Sequence, residues 1–205
     1  MKTPPKITIV FFGDSITEYG EHSGGYIRLI QNALDAAGKL DNYELSGAGI
    51  SGNKVFDLHR RIEADVLSVK PGLVIIYIGI NDVWLKTAGN MTPIDKYEEY
   101  YSNIIKKLQE NGIRVAICTP SVIGEKKSNA NPQDADLEAY SAVVRKLAAV
   151  HNCTLIDLRK AFVNFEERYN LKDKEYGVLT TDGVHLGNRG NQLVAEEMMK
   201  TLFTP

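Results

Sequence analysis

The sequence predicts an α/β fold, a three-layer α/β/α sandwich around a mostly parallel five-stranded sheet, in a single domain covering residues 1–205. Short apolar runs alternate with longer segments of helical periodicity, and this alternation indicates βαβ units because parallel strands need a crossover connection. The 205 residues are 43% hydrophobic and 24% charged, which is typical of a globular domain. No linker or internal repeat divides the chain.

Apolar runs and helical periodicity assign the elements in chain order. The run Leu73–Ile78 is continuously apolar, as expected of a central strand buried on both faces. Thr92 and Pro93 supply a polar cap and a first-turn proline for the helix that follows. The predicted strands are Ile7–Phe12, Tyr43–Ser46, Leu73–Ile78, Ile113–Cys118 and Thr154–Leu158. The predicted helices are Gly25–Ala37, Asn53–Ser68, Pro93–Gly112, Asp134–Val150, Lys160–Tyr169 and Gln192–Leu202.

Charge and cysteine content exclude several classes of protein. The 24 Lys and Arg nearly balance 26 Asp and Glu, and no long run of like charge is present to attract nucleic acid or a membrane surface. A domain of this length buries about 70% of its unfolded surface, so its core requires no structural metal or disulfide. We therefore expect no metal and no cofactor. Cys118 and Cys153 lie in apolar strands and are predicted to be buried free thiols.

The first apolar run, Ile7–Phe12, bears on targeting. A secretory apolar region takes about 7–15 residues and a membrane span about 20, and this run is shorter than both. We expect no membrane span. We expect a cytoplasmic protein, or a secreted or periplasmic one whose signal peptide has been removed.

Small and polar residues follow the first three predicted strands. They are Gly13–Ser15 after the first strand, Gly47–Gly52 after the second and Gly79–Asp82 after the third. In parallel sheets, ligands bind outside the carboxyl ends of the strands, near the point where the strand order reverses. The sequence therefore predicts a functional site at this rim.

Four side chains in and beyond these segments have the chemistry of nucleophilic catalysis. Ser15 lies at a strand-to-helix turn, where it is either an exposed nucleophile or a helix cap. Asp182 precedes His185 by three residues, so its carboxylate can accept the Nδ1 hydrogen and leave Nε2 as a base, although a solvated loop has the same pattern. Asn81 offers amide donors for an oxyanion hole, or simply begins a turn.

The four segments together resemble the SGNH hydrolases, also called the GDSL esterase and lipase family, which is named for a serine, a glycine, an asparagine and a histidine. The resemblance spans the chain in the family's order and implies a flavodoxin-like sheet. It implies Ser15 as nucleophile and the Asp182–His185 pair as base, with the Ser15 N–H, the Gly52 N–H and the Asn81 amide as oxyanion donors. The family's second block commonly begins with asparagine, where this chain has Gly47.

The resemblance implies a carboxylic-ester hydrolase that works through an acyl-serine intermediate, with water as the second substrate. The polar character of the chain favours small soluble esters, short-acyl or acetylated, including those of carbohydrates. Asp14, Tyr19, Tyr26 and Trp84 lie near the serine and asparagine blocks and are predicted to contact substrate. The polar segment 121–136 contains almost nothing that must be buried, which indicates either a lid or specificity loop, or a simple solvated loop.

Other functions remain open on sequence alone. Within the same family, a lysophospholipase or thioesterase-type acylhydrolase is the alternative. From other classes, a metal-dependent phosphoesterase or a catalytically silent binding module would use the same rim. The phosphoesterase ligands would be Asp14, Asn81, Asp82, Asp182 and His185. The run Gly47–Gly52 also matches the GxGxxG dinucleotide fingerprint, but the acidic residue expected about 20 residues later, at the end of the next strand, is missing.

Overall fold

A five-stranded parallel sheet forms the centre of the computed structural model, which describes residues 5–84 and 89–203. Its strands are β1 Ile7–Gly13, β2 Tyr43–Gly49, β3 Leu73–Tyr77, β4 Arg114–Cys118 and β5 Thr154–Ile156. The strand order is β2-β1-β3-β4-β5, and every neighbouring pair is parallel. Every residue of β3 is buried, as its continuous apolar run predicts.

Helices cover both faces of the sheet. They are α1 Ser15–Gly20, α2 Tyr26–Ala36, α3 Val55–Asp65, α4 Ile80–Trp84, α5 Ile94–Glu110, α6 Asp134–Val150, α7 Leu158–Tyr169 and α8 Asn188–Leu202. Helix α8 packs against α2 and α7, and α5 packs against α3 and α6. The predicted three-layer α/β/α class is confirmed. None of the helices in the described ranges combines the length and the hydropathy that crossing a bilayer would take.

The structure corrects the predicted boundaries at the site. Strand β2 continues through the glycine run to Gly49, beyond the predicted end at Ser46, because strand pairing uses only the backbone and Gly49 pairs with Gly13. Helices α1 and α4 were not predicted, since five or six residues are too few to show helical periodicity. Helix α8 begins before the predicted Gln192, because Gly190 in its first turn weakens the helical pattern.

Buried tyrosines fill much of the core, and their hydroxyl groups find partners inside it. The Tyr77 hydroxyl contacts Ser121 Oγ at 2.8 Å, and the Tyr97 hydroxyl donates to the Ile78 carbonyl at 3.1 Å. Both cysteines are free thiols, as predicted. Cys118 is buried, which raises its pKa, whereas Cys153 is only half-buried, with burial raising its pKa to about 11.

Candidate active site

The register of the sheet brings the first three sequence blocks to one edge. Gly13 at the end of β1 pairs with Gly49 of β2 on one side and with Tyr77 of β3 on the other. The three strands therefore end at the same level, and the segments after them begin side by side. Because β2 and β3 flank β1, this edge is also where the strand order reverses, the usual place for a ligand in an open parallel sheet.

Ser15 is the first residue of α1 and is 7% exposed. The preceding residue, Asp14, caps the helix by accepting the Ile16 N–H at 3.0 Å. Burial raises the pKa of Asp14 to about 7, even though the hydrogen bond from Ile16 acts in the opposite direction. Asp14 is therefore the helix cap, and the Ser15 hydroxyl is not needed for capping.

Asp182, His185 and Ser15 form a continuous hydrogen-bonded chain. His185 Nε2 lies 3.1 Å from Ser15 Oγ, and His185 Nδ1 lies 2.7 Å from Asp182 Oδ2. The other Asp182 oxygen accepts the N–H groups of Val184 and His185. Burial alone would raise the Asp182 pKa, but the hydrogen bonds from His185 and the two backbone groups outweigh it and lower the pKa. An ionised carboxylate only accepts, so Nδ1 carries the hydrogen and Nε2 presents its lone pair to the serine.

Asn81 and Gly52 lie in the segments that follow β3 and β2. Asn81 is in the first turn of α4, and its Nδ2 donates one hydrogen to the Asn53 carbonyl at 3.0 Å. An amide nitrogen carries two hydrogens, so this bond orients the side chain and leaves the second for a ligand. Gly52 has a φ of +79°, which fits the tight turn between β2 and α3.

Arg61 of α3 ties the serine and asparagine blocks together. Its guanidinium donates to the Gly13 carbonyl at 2.7 Å and to Asn53 Oδ1 at 2.8 Å, and it lies over the Phe12 ring. Because Asn53 in turn accepts the Asn81 amide, one side chain connects the end of β1 to the start of α4. Five fixed donors make arginine suited to such a junction.

The glycine at position 47 has a structural explanation. Its N–H donates to the Glu21 carboxylate at 2.9 Å, and a Cβ here would lie 2.3 Å from the Glu21 carboxyl carbon. An asparagine here would require the exposed Glu21 side chain to move. At Gly49 a Cβ would meet the Glu18 backbone nitrogen at 2.1 Å, so α1 packs directly on the end of β2. The GxGxxG spacing is accounted for by this close packing together with the turn at Gly52.

A buried carboxylate that the sequence analysis missed holds the loop before the histidine. Glu125 is fully buried and accepts the backbone N–H groups of Val178, Leu179 and Thr180, at 2.9, 3.0 and 2.5 Å. It also bonds the Thr180 hydroxyl, which accepts the Gly183 N–H. The one signal in the sequence was the position of Glu125 after β4, at the same edge of the sheet.

The segment 121–136 is not simply a solvated loop, and the expectation that it contains almost nothing buried is wrong. Its members Ser121, Val122, Glu125, Asn131 and Asp134 are buried. Asp134 is paired with the buried Arg159 at 2.7 Å. Buried charges are stable only when they pair with each other and with further hydrogen-bond partners inside the protein. The segment is thus part of the wall that supports the histidine loop.

The four predicted substrate contacts separate into two groups. Tyr19 and Trp84 are exposed and flank the His185 ring, with centroids 5.5 and 6.2 Å from it. The prediction for Tyr26 is wrong: it is 0% exposed, and its hydroxyl contacts Thr17 inside the core. Asp14 is also buried, and it serves the helix end below the serine. Over so short a stretch, the sequence does not reveal which side of a helix faces the core.

The five polar side chains considered as metal ligands instead bind one another or the backbone. Asp82 is fully buried, and its oxygens accept the Val55 N–H at the start of α3. Burial raises its pKa to about 6. Over the described residues, no three His, Cys, Asp or Glu side chains are grouped as metal ligands would be.

Comparison with known proteins gives a consistent family. Residues 11–193 match the model of the GDSL-like lipase/acylhydrolase family. An acetylxylan esterase of Geobacillus stearothermophilus is 27% identical over 95% of this chain and 93% of its own length. An isoamyl acetate-hydrolyzing esterase of Schizosaccharomyces pombe is 25% identical over 96% of this chain and 74% of its own.

A solved structure extends the likeness to three dimensions. The crystal structure of an acetyl xylan esterase, AlAXEase, has a TM-score of 0.94 and 48% sequence identity, covering 96% of this chain and all of that one. The similarity includes the edge of the sheet where Ser15 and His185 meet, since it spans nearly the whole chain. This chain belongs to the GDSL-like lipase/acylhydrolase family, the SGNH hydrolases, and it is a carboxylic-ester hydrolase.

Proposed function

We propose that this esterase removes acetyl groups from acetylated saccharides, with acetylated xylo-oligosaccharides as the representative substrate. The observation that carries the proposal is the 48% identity, over 96% of the chain, with an acetyl xylan esterase of the same fold. The acetylxylan and isoamyl acetate esterases also act on the same acyl group, acetate, and differ in the alcohol. We therefore assign the acyl part of the substrate as acetyl and the alcohol part as a saccharide.

In the proposed reaction, the Ser15 hydroxyl proton passes to His185 Nε2 while Oγ attacks the ester carbonyl carbon. The 3.1 Å contact between these two atoms is within the reach that such a transfer needs. The carbonyl oxygen becomes an oxyanion and accepts hydrogen bonds from the Ser15 N–H, the Gly52 N–H and the second amide hydrogen of Asn81. Asp182 stabilises the imidazolium through Nδ1.

Collapse of the tetrahedral intermediate breaks the bond to the alcohol oxygen, which takes the proton from His185. The acetyl group stays on Ser15 as an ester. Water then attacks this ester with His185 again as base, which releases acetate and restores the serine hydroxyl. Every proton transfer in the cycle uses Nε2, so the geometry at His185 governs both halves of the reaction.

The experiment compares acyl and alcohol preferences in one assay. Acetate release from acetylated xylo-oligosaccharides is measured beside hydrolysis of chromogenic acetate, butyrate and octanoate esters. We expect acetate release from the saccharide, and a kcat/KM at least about tenfold higher for the acetate than for the octanoate. A rate that climbs through octanoate would instead identify a lysophospholipase or thioesterase-type acylhydrolase.

A covalent probe tests the intermediate separately. A fluorophosphonate should add one adduct at Ser15, found by peptide mass spectrometry, and Ser15→Ala should remove it. Ser68→Ala is the matched control, because Ser68 is exposed and its hydroxyl bonds only the Ala64 carbonyl of its own chain segment. Labelling that persisted in Ser15→Ala would contradict the assignment of the nucleophile.

A further inference from the structure

A cleft opens beside the catalytic triad, on the Asp182 side. Its volume is about 380 Å³, within the usual range for a small-molecule site. The residues of its lining that carry the argument are Trp84, Lys126, Glu175, Tyr176 and Asp182. Of these residues, the proposed mechanism uses only Asp182. The catalytic roles therefore do not account for the rest of the cleft.

Two aromatic side chains line this cleft and remain accessible. Trp84 is 37% exposed and Tyr176 is 56% exposed. Aromatic rings combine a large apolar face with a polar edge, which suits a ligand that has both apolar C–H faces and hydroxyl groups. A pyranose ring is such a ligand, so the exposed aromatic rings favour a saccharide over a purely apolar chain.

Two of the three charged side chains of the cleft pair with each other, and the third, Asp182, is hydrogen-bonded to His185. Lys126 Nζ pairs with Glu175 Oε1 at 2.6 Å, and both side chains are partly exposed. A surface pair of this kind contributes little to stability. The ammonium group keeps further donors and the carboxylate keeps further acceptors, so the pair can bind hydroxyl groups. A neutral polyol fits this lining better than an anion.

Backbone contacts hold the walls of the cleft in place. The buried Asn131 accepts the Lys126 N–H at 3.1 Å and donates to the Lys126 carbonyl at 2.9 Å. The Glu125 N–H donates to the Glu175 carbonyl at 2.9 Å, which joins the two sides of the cleft. A preformed site loses less conformational entropy when a ligand binds.

Trp84 connects the cleft with the His185 ring, beside which the leaving alcohol forms. His185 Nε2 must give its proton to the alcohol oxygen, so that oxygen lies beside the His185 ring. Trp84 packs edge-on against the same ring, with centroids 6.2 Å apart, and Trp84 also lines the cleft. We infer that the cleft binds the sugar rings of the alcohol part, with Trp84 nearest the scissile ester and Tyr176 farther from it. This inference rests on the proposed function, since it needs a saccharide ester as substrate.

The chain provides its own optical probe, because Trp84 is its one tryptophan. We expect unacetylated xylotriose to change the tryptophan fluorescence of Ser15→Ala with a saturating, millimolar midpoint. In Ser15→Ala combined with Tyr176→Ala, the midpoint should rise about tenfold, which corresponds to about 1.4 kcal/mol. An emission that does not respond, or a midpoint that the second substitution leaves in place, would overturn the inference.

Kinetics on two acetates give the second readout. The ratio of kcat/KM for acetylated xylotriose to kcat/KM for ethyl acetate should fall about tenfold in Tyr176→Ala, since ethanol is too small to reach that ring. Tyr169→Ala is the control, because Tyr169 is equally exposed, at 55%, but lies on α7. We expect the control to keep the parent ratio.

The outcomes separate the two proposals. If the parent enzyme releases acetate from the saccharide and Tyr176→Ala keeps the parent ratio, the cleft assignment is wrong and the proposed function stands. If the parent hydrolyses ethyl acetate but releases no acetate from the saccharide, the proposed function fails, and the cleft assignment fails with it.

Discussion

The active site joins two regions that are held in place by different forces. The serine side, residues 13–20, continues directly from β1, where Val10, Phe11 and Phe12 are buried in the core. The histidine side, residues 176–187, contains no α-helix or longer strand, only a single bridge between Thr180 and Leu186. Ser15 is supported directly by a core strand, whereas His185 depends more on polar contacts, beside the buried side chains of Leu179 and Val184.

The polar contacts of the histidine side converge on two side chains. Glu125 binds the loop before the histidine, and Asn191 of α8 donates to the Leu186 and Gly187 carbonyls after it. Apolar packing is non-directional and tolerates small shifts, but a buried carboxylate is stabilising only while its donors stay in position. We therefore expect the two sides to respond differently to substitution.

The largest expected effect is at the nucleophile. Ser15→Ala should lower kcat by at least about 10⁴-fold, since the covalent route is closed. The free energy of unfolding should stay close to the parent value, because β1 and the Asp14 cap hold the serine side without the hydroxyl. Ester hydrolysis and urea denaturation measure the two quantities, and near-parental turnover would refute the role of Ser15.

The second-largest expected effect is at Asn81, the side-chain donor of the proposed oxyanion site. Asn81→Ala should lower kcat about 10²- to 10³-fold, which is the usual cost of losing one oxyanion donor. KM should change little, because the oxyanion exists only after attack. Asn111→Ala, at the exposed end of α5, is the control. A variant whose KM rose while kcat held would place Asn81 in substrate binding instead.

The third effect is specific to the histidine side. In Glu125→Gln one acceptor oxygen becomes an NH₂ group that faces backbone donors, so the unfolding free energy should fall by about 2–3 kcal/mol. A displaced base should also lower kcat about 10- to 100-fold. Both are measured on folded protein at low temperature, with the exposed Glu110→Gln as control. A loss of stability with full kcat would mean that Glu125 does not position His185.

The smallest effect concerns pH. Burial, together with the charge of Glu125, raises the pKa of Glu166 from 4.5 to about 8. A carboxylic acid whose pKa is raised in the folded state contributes its full stabilisation below its unfolded-state pKa. This stabilisation is lost as the pH rises through the folded-state pKa. The Tm of the parent should therefore fall between pH 5 and pH 8 more than that of Glu166→Gln, by at least about 2–4 °C. Parallel Tm curves for the two proteins would contradict this.

Apolar periodicity in the sequence correctly predicted the helices and strands that have a clear periodic pattern. Helix α6 has the predicted bounds, Asp134–Val150, and the alternation of strands and helices gave the correct fold class. The Asp182 to His185 spacing was enough to predict the hydrogen bond between them, because the contact is local. The contacts of Glu125 were not predictable, since its partners lie more than 50 positions along the chain.

Tyr26 and the segment 121–136 show the limit of the same reasoning. Tyr26 was expected near substrate because it follows the serine block, yet its ring is inside the core. The segment is polar in sequence, but several of its polar groups are buried because they bond one another, as Asn131 bonds Asp134. The composition of a segment indicates that burying its polar groups would be costly. It does not show whether hydrogen-bond partners in the folded protein offset that cost.

The contact between Ser15 and His185 joins residues 170 positions apart, so most of the chain lies between its two partners. Contacts of such long sequence separation close late in folding, because the entropy of closing the loop must be offset first. Esterase activity therefore indicates that folding is complete. During refolding, the return of esterase activity should lag behind the recovery of helical circular dichroism.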